Sequence, residues 1–161
     1  MQSKLVRLKV NGRDEGVVVA PLSTLLAALR DELQMNSVKS GCEQGGCGSC
    51  SVLVDGELRL SCLTPIEAVE GCEVTTLEGL NESNSMAALQ ESFIANYAAQ
   101  CGYCTPGMLM AVQALLNRNA KPSRDEIEEA LAGNICRCTS YVPIIDAVES
   151  AAAELSGQGD D

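Results

Sequence analysis

Nine cysteines are spread along this 161-residue chain, and their spacing constrains what it can fold into more than any hydrophobic pattern does. Cys42, Cys47 and Cys50 lie in "GCEQGGCGSC", and Cys62 follows. A C-x4-C-x2-C run with a later fourth cysteine is the spacing of a plant-type [2Fe-2S] site. Two irons and two sulfides need a loop that wraps closely, with backbone N–H groups aimed at sulfur. Gly41, Gly45, Gly46 and Gly48 permit that approach because they carry no Cβ. Zinc sites use paired short spacings on two knuckles, which this loop fits poorly. A disulfide framework belongs to oxidising compartments and leaves an odd cysteine over.

A second set comprises Cys101 and Cys104 in "QCGYC" with Cys136 and Cys138 in "CRC". Taken alone it is less specific, since zinc or a redox-active C-x-x-C would also use these residues. A thioredoxin-type dithiol needs a βαβ setting, whereas the surrounding sequence reads as helical. Both pairs stand just before predicted helices, whose positive ends suit an anionic four-thiolate cluster. The chain has no histidine, so Ser-His and Cys-His nucleophilic chemistry is excluded within it.

The period of the apolar residues changes part-way along. Residues 4–10 alternate like a strand, "NGRDEG" supplies turn chemistry, and "VVVA" reads as a second strand. A helix is expected over 23–33 with Ser23 as its N-cap. "SVLVDGELRLSC" reads as strand, Asp-Gly turn and strand, and "EVTTLEGL" as a final strand. "NESNS", at 81–85, then separates this half from four helices: "SMAALQESFIANYAAQ", "TPGMLMAVQALLNRN", "SRDEIEEALAG" and "VPIIDAVESAAAEL". Thr105 before Pro106 reads as an N-cap, Ser123 with Glu126 as a capping box, Gly133 as a C′ residue and Pro143 as a helix start. The tail "SGQGDD" is expected to fray. The fold class is therefore α+β, with a mixed β domain over 1–80 and an all-α domain over 81–161.

Aromatic residues are only 2% and Phe93 is the only Phe, so the core must be built from Ala, Leu, Val, Ile and Met; Met108 and Met110 are assigned to it. A net charge of −11 argues against nucleic acid or an anionic membrane as partner. "MQSKLVRLKV" lacks a secretory apolar stretch and a twin-arginine pair, and no membrane-spanning run exists, so a cytoplasmic location is expected. Cys72 is left over as a free thiol, "RDEIEEAL" reads as a solvated helix face, and Arg137 sits between two candidate ligands.

"GCEQGGCGSC", "QCGYCTPGM" and "AGNICRCTSY", in that order, resemble the small [2Fe-2S] iron–sulfur subunit of the molybdenum hydroxylases, the xanthine oxidase family. The resemblance implies a β-grasp ferredoxin domain followed by a four-helix domain, each holding one [2Fe-2S] cluster. It implies a non-catalytic electron-transfer subunit of an oxidoreductase. Single electrons would pass between a molybdopterin cofactor on a large subunit and FAD on a medium subunit, in a heterotrimer or a dimer of heterotrimers. By position, Cys101, Cys104, Cys136 and Cys138 would hold the cluster nearer the molybdenum, with Gln100 and Cys138 approaching the pterin. Cys42, Cys47, Cys50 and Cys62 would hold the outer cluster. Ser140 departs from the glycine of many relatives, though it can still cap the helix that follows. The rival expectation is a free-standing ferredoxin-like carrier, against which a second cluster domain argues. The substrate of the holoenzyme is left open, because its pocket would lie on another chain.

Overall fold

A computed structural model describes residues 3–81 and 83–157. Strands β1 (Lys4–Val10) and β2 (Arg13–Val19) pair antiparallel from Val10↔Arg13 to Lys4↔Val19. Asn11 and Gly12 alone make the turn, with φ of +50° and +78°, the left-handed pair that a tight two-residue hairpin demands. The expected turn over "NGRDEG" is therefore too long, because Arg13–Gly16 already belong to β2. Val6, Leu8 and Val10 alternate inward and are buried.

Helix α1 (Leu25–Ala27) opens on Thr24, whose hydroxyl accepts from Ala27 N at 3.2 Å, so Thr24 takes the capping role expected of Ser23. The helix widens into a π-type turn over Ala28–Glu32, closed by Leu33 N donating to Ala28 O. Strands β3 (Ser51–Val54) and β4 (Glu57–Leu60) form a second hairpin through Asp55 and Gly56. Strand β5 (Glu73–Thr75) runs parallel to β1 and antiparallel to β3, giving the order β2-β1-β5-β3-β4. Leu25 and Leu29 pack on Val6, Val10, Val52, Ile66 and Val74, the β-grasp arrangement of a mixed sheet with a helix across one face.

The last strand is shorter than expected. It stops at Thr75, and Leu77–Leu80 coil into a one-turn helix, α2. Side-chain chemistry at Thr76 accounts for this: its N–H donates to Asn11 Oδ1 at 2.9 Å, its hydroxyl accepts from Asn11 Nδ2 at 3.0 Å and donates to Glu78 at 2.6 Å. These bonds replace the sheet ladder for a buried residue.

Four helices follow: α3 (Asn84–Ala95), α4 (Thr105–Arg118), α5 (Arg124–Leu131) and α6 (Val142–Gly157). Helix α3 packs on α6, and α4 on α5 and β3. Met108, as expected, joins Met86, Leu89, Phe93, Val112, Ile127, Ile144 and Val148 in the helical core. Met110 is also buried, but against Leu53 of β3, where the two halves meet. Helix α3 ends at Ala95, short of Gln100, because Tyr97 turns left-handed at φ +55°. Cys104, not Thr105, occupies the N-cap position of α4, and Thr105 is its first residue. The Ser123–Glu126 capping box is present. Gly133 stands second after Leu131, without left-handed φ. The last helix starts at Val142 with Pro143 in its first turn, and Ser156 and Gly157 continue it. The rest of the expected frayed tail lies outside the described residues, as does Glu82 of the "NESNS" boundary.

Glu78 ties α2 to the loop ahead of the first cysteines. Burial works to raise its pKa, but hydrogen bonds from Ser37 Oγ, Thr76 Oγ1 and Ser37 N outweigh that and hold it below the ordinary carboxylate value. A lowered folded pKa means stability that is complete above the unfolded value of about 4.3 and is lost as pH falls through the folded one. Glu78→Gln is expected to unfold at lower temperature at pH 7, with the gap from wild type closing below about pH 4; calorimetry across that range measures it.

Candidate metal centres

The first cysteine set lies on the loop joining the π-type turn to β3, with Cys62 supplied just after β4. Cys50 and Cys62 are buried and Cys42 and Cys47 half-buried. The thiols meet in pairs, Cys42 with Cys47 and Cys62 with Cys50. Gly46 N donates to Cys42 Sγ at 3.2 Å. Backbone N–H of Gln44 and the Cys47 thiol are the chief reasons that Cys42 is lowered to about 7. Burial, then Cys50, pushes Cys62 up to about 11. A thiolate so buried would need a cation beside it, and a bound iron would supply that charge.

Two glycines make the close approach possible. A Cβ on Gly41 would lie 2.8 Å from Cys47 Sγ. Gly48 combines φ +69° with a contact in which a Cβ would lie 2.6 Å from Gly133 O. Gly46 serves differently from the expectation: it has open space around it, and it is its N–H that points at sulfur.

The second set forms between the α3–α4 and α5–α6 loops. Cys104 pairs with Cys136, and Cys138 with Cys101. Burial, then the Cys136 thiol, pushes Cys104 up to about 12. Burial opposes the lowering at Cys136, but the Thr139 hydroxyl and N–H and the Cys138 N–H prevail, with Thr139 N at 3.4 Å from Cys136 Sγ. Cys136 N donates to the Tyr141 hydroxyl at 2.9 Å. Only the Cys101–Cys104 pair adjoins a helix start directly; Cys138 stands further from α6 than expected. The left-handed turn before α6 falls on Tyr141, φ +68°, whose carbonyl receives Ile144 N and Ile145 N, while Ser140 is exposed.

Among the described residues no three Cys, Asp or Glu side chains group as a single metal ion would need. Each quartet instead resolves into two thiol pairs, and a two-iron cluster takes two thiolates on each iron. With N–H donors at sulfur in both sets, and space kept by Gly41 in the first, both quartets suit a [2Fe-2S] cluster.

The two centres are joined by contacts that the cysteine spacing did not disclose. Ile135 N donates to Cys47 O at 2.9 Å, Asn134 Nδ2 to Gly48 O at 3.1 Å, and the Tyr103 hydroxyl to Ser40 O at 2.6 Å. Asn134 is buried, and its place two residues before the C-x-C was the one available signal. Gln100 and Arg137 are exposed beside the second set. Cys72 joins neither set; its thiol contacts Asp55, which with burial raises it.

Comparison with known proteins matches two family models: a 2Fe-2S iron-sulfur cluster binding domain over residues 8–72 and a [2Fe-2S] binding domain over 76–149. One of the nicotinate dehydrogenase subunits of Pseudomonas putida is 43% identical, over 91% of this chain and 94% of that protein. The aldehyde oxidoreductase of Megalodesulfovibrio gigas is 39% identical over 94% of this chain, which spans only 17% of that longer protein. A chain in the crystal structure of quinoline 2-oxidoreductase from Pseudomonas putida 86 superposes with a TM-score of 0.91 at 43% identity, and the match covers 100% of both chains.

Gly41→Ala is expected to remove the first centre and spare the second, because the methyl group has no room beside Cys47 Sγ. Iron analysis should then find roughly half the wild-type iron.

Proposed function

The chain belongs to the small [2Fe-2S] iron–sulfur subunits of the molybdenum hydroxylase, or xanthine oxidase, family, and from that premise we propose that it relays single electrons between a molybdopterin cofactor on a large subunit and FAD on a medium subunit. Residues 1–80 form the ferredoxin half and 81–161 the helical half of this relay. Cys42, Cys47, Cys50 and Cys62 hold the cluster on the flavin side; Cys101, Cys104, Cys136 and Cys138 hold the one on the molybdenum side. The clusters supply one-electron redox chemistry, which no side chain here could provide.

The observation that carries the proposal is the bond from Ile135 N to Cys47 O at 2.9 Å. It connects a ligand of one centre to the residue preceding a ligand of the other, so a short route of covalent bonds and one hydrogen bond runs between the two sets. Two centres in series serve a fixed relay, whereas a mobile carrier needs one. Gln100 and Cys138, both exposed, face outward for contact with the pterin. Ile94 and Tyr97 at the end of α3, and Ile135, are exposed apolar side chains beside this set that a large subunit would cover. A heterotrimer, or a dimer of heterotrimers, in the cytoplasm accommodates these roles; no helix among the described residues is long and apolar enough to cross a membrane.

The purified complex should contain about four irons and four acid-labile sulfides per copy of this chain, and a large subunit should co-purify. Zinc in place of iron, or an isolated monomer, would count against the proposal. Cys104→Ser should abolish one of two distinguishable EPR signals from the reduced protein, and loss of neither would refute the ligand assignment.

A further inference from the structure

Two buried side-chain polar atoms have no hydrogen-bond partner among the described residues: Oε2 of Glu67 and Oγ1 of Thr105. The first belongs to a carboxylate already engaged, since Glu67 Oε1 accepts from Leu22 N at 3.0 Å. Thr105 has only the one polar atom on its side chain, and that atom is orphaned. A buried hydroxyl without a partner costs about 1–3 kcal/mol, so such groups are rare and call for an acceptor.

The place of this hydroxyl narrows what the acceptor is. Thr105 directly follows Cys104 and is the first residue of α4. One position inside the N-cap it does not cap the helix, and its hydroxyl does not bond back to a nearby carbonyl either. At α5 the hydroxyl stands one position earlier, at the N-cap, and is satisfied there: Ser123 accepts from Glu126 N and donates to Glu126 Oε2. The acceptor nearest in sequence is the sulfur of the second centre, whose Cys136 already draws a donor, Thr139 N at 3.4 Å, from the opposite loop.

Cys104 Sγ is not its acceptor, since the hydroxyl has no partner in this structure; we propose that the Thr105 hydroxyl donates to an inorganic sulfide of the second cluster and so sets the potential of that centre. The inference rests on the assignment of Cys101, Cys104, Cys136 and Cys138 as cluster ligands. On reduction the cluster gains one electron, no bond breaks, and threonine keeps its proton. Sulfur becomes more negative, so the hydrogen bond strengthens and favours the reduced state. Thr105 is a positioning and tuning residue, not a ligand.

The test is a dithionite titration of the intact complex, with each cluster followed by its own EPR signal. Thr105→Val keeps the shape and removes the donor; Thr105→Ser restores it. The expected result for Val is an approximately tenfold loss in the reduction equilibrium of one cluster, which is about 59 mV downward for a one-electron couple. The other cluster should not move, and Ser should return the value to near wild type. Pulsed EPR after exchange into heavy water should also lose one exchangeable-proton coupling in Val and regain it in Ser. Unchanged midpoints in a fully loaded Val variant would overturn the proposal, as would equal shifts of both clusters, equal shifts in Val and Ser, or failure of the Val variant to take up the second cluster. Absence of cluster signals from the wild-type protein would instead overturn the ligand assignment beneath it.

Discussion

The structure depends on one junction, where the Gly48 carbonyl of the ferredoxin half is held by the helical half. Asn134 Nδ2 donates to it at 3.1 Å, and Gly107, in the first turn of α4, lies so close that a Cβ there would come within 2.4 Å of the same oxygen. Ser51 N and Ser51 Oγ also donate to this oxygen from its own half, at 3.2 and 2.8 Å, so the group that separation of the halves would leave without its partner is the buried Asn134 amide. Ile135 N to Cys47 O and Tyr103 to Ser40 O repeat the arrangement on either side. Three residues from the loops of the second cysteine set therefore bond directly to the loop of the first, which fixes the two sets relative to one another.

Burial then decides how the sulfurs behave. Cys62 and Cys104 lie deep enough that desolvation dominates their titration, and both are pushed well above an ordinary thiol. Cys42 and Cys136 lie against backbone N–H groups and are drawn the other way. Each centre thus joins a thiol that resists ionisation to one that accepts it. A bound iron would compensate the first, and the peptide N–H groups already serve the second.

Much of this was legible in the cysteines. Their spacing and order led to two four-thiol sets, while the α+β fold and the period change after the sheet came from the apolar residues, because those features are local or rest on ligand chemistry. The errors were also physical. Thr24 replaced Ser23 as a cap and Cys104 replaced Thr105, since cap position depends on which backbone leaves the helix. Thr76 broke the last strand through bonds to Asn11, a residue 65 positions away, which no local propensity could register. Asn134, Ile135 and Tyr103 were missed for the same reason: their partners belong to the other half of the chain.

Strand β3 has all four of its residues buried, unlike β1, β2 or β4, which alternate. Val52 and Val54 face the ferredoxin core, while Leu53 faces Met110 and Ala114 of α4. The sheet is a party wall, finished on both sides. A mobile ferredoxin can leave that outer surface to water, but here it is apolar, and burying a leucine there is worth about 1.5–3 kcal/mol. Cutting the N-terminal half out would bare Leu53 to water, so the wall that closes its core on one side also fastens it to its neighbour on the other.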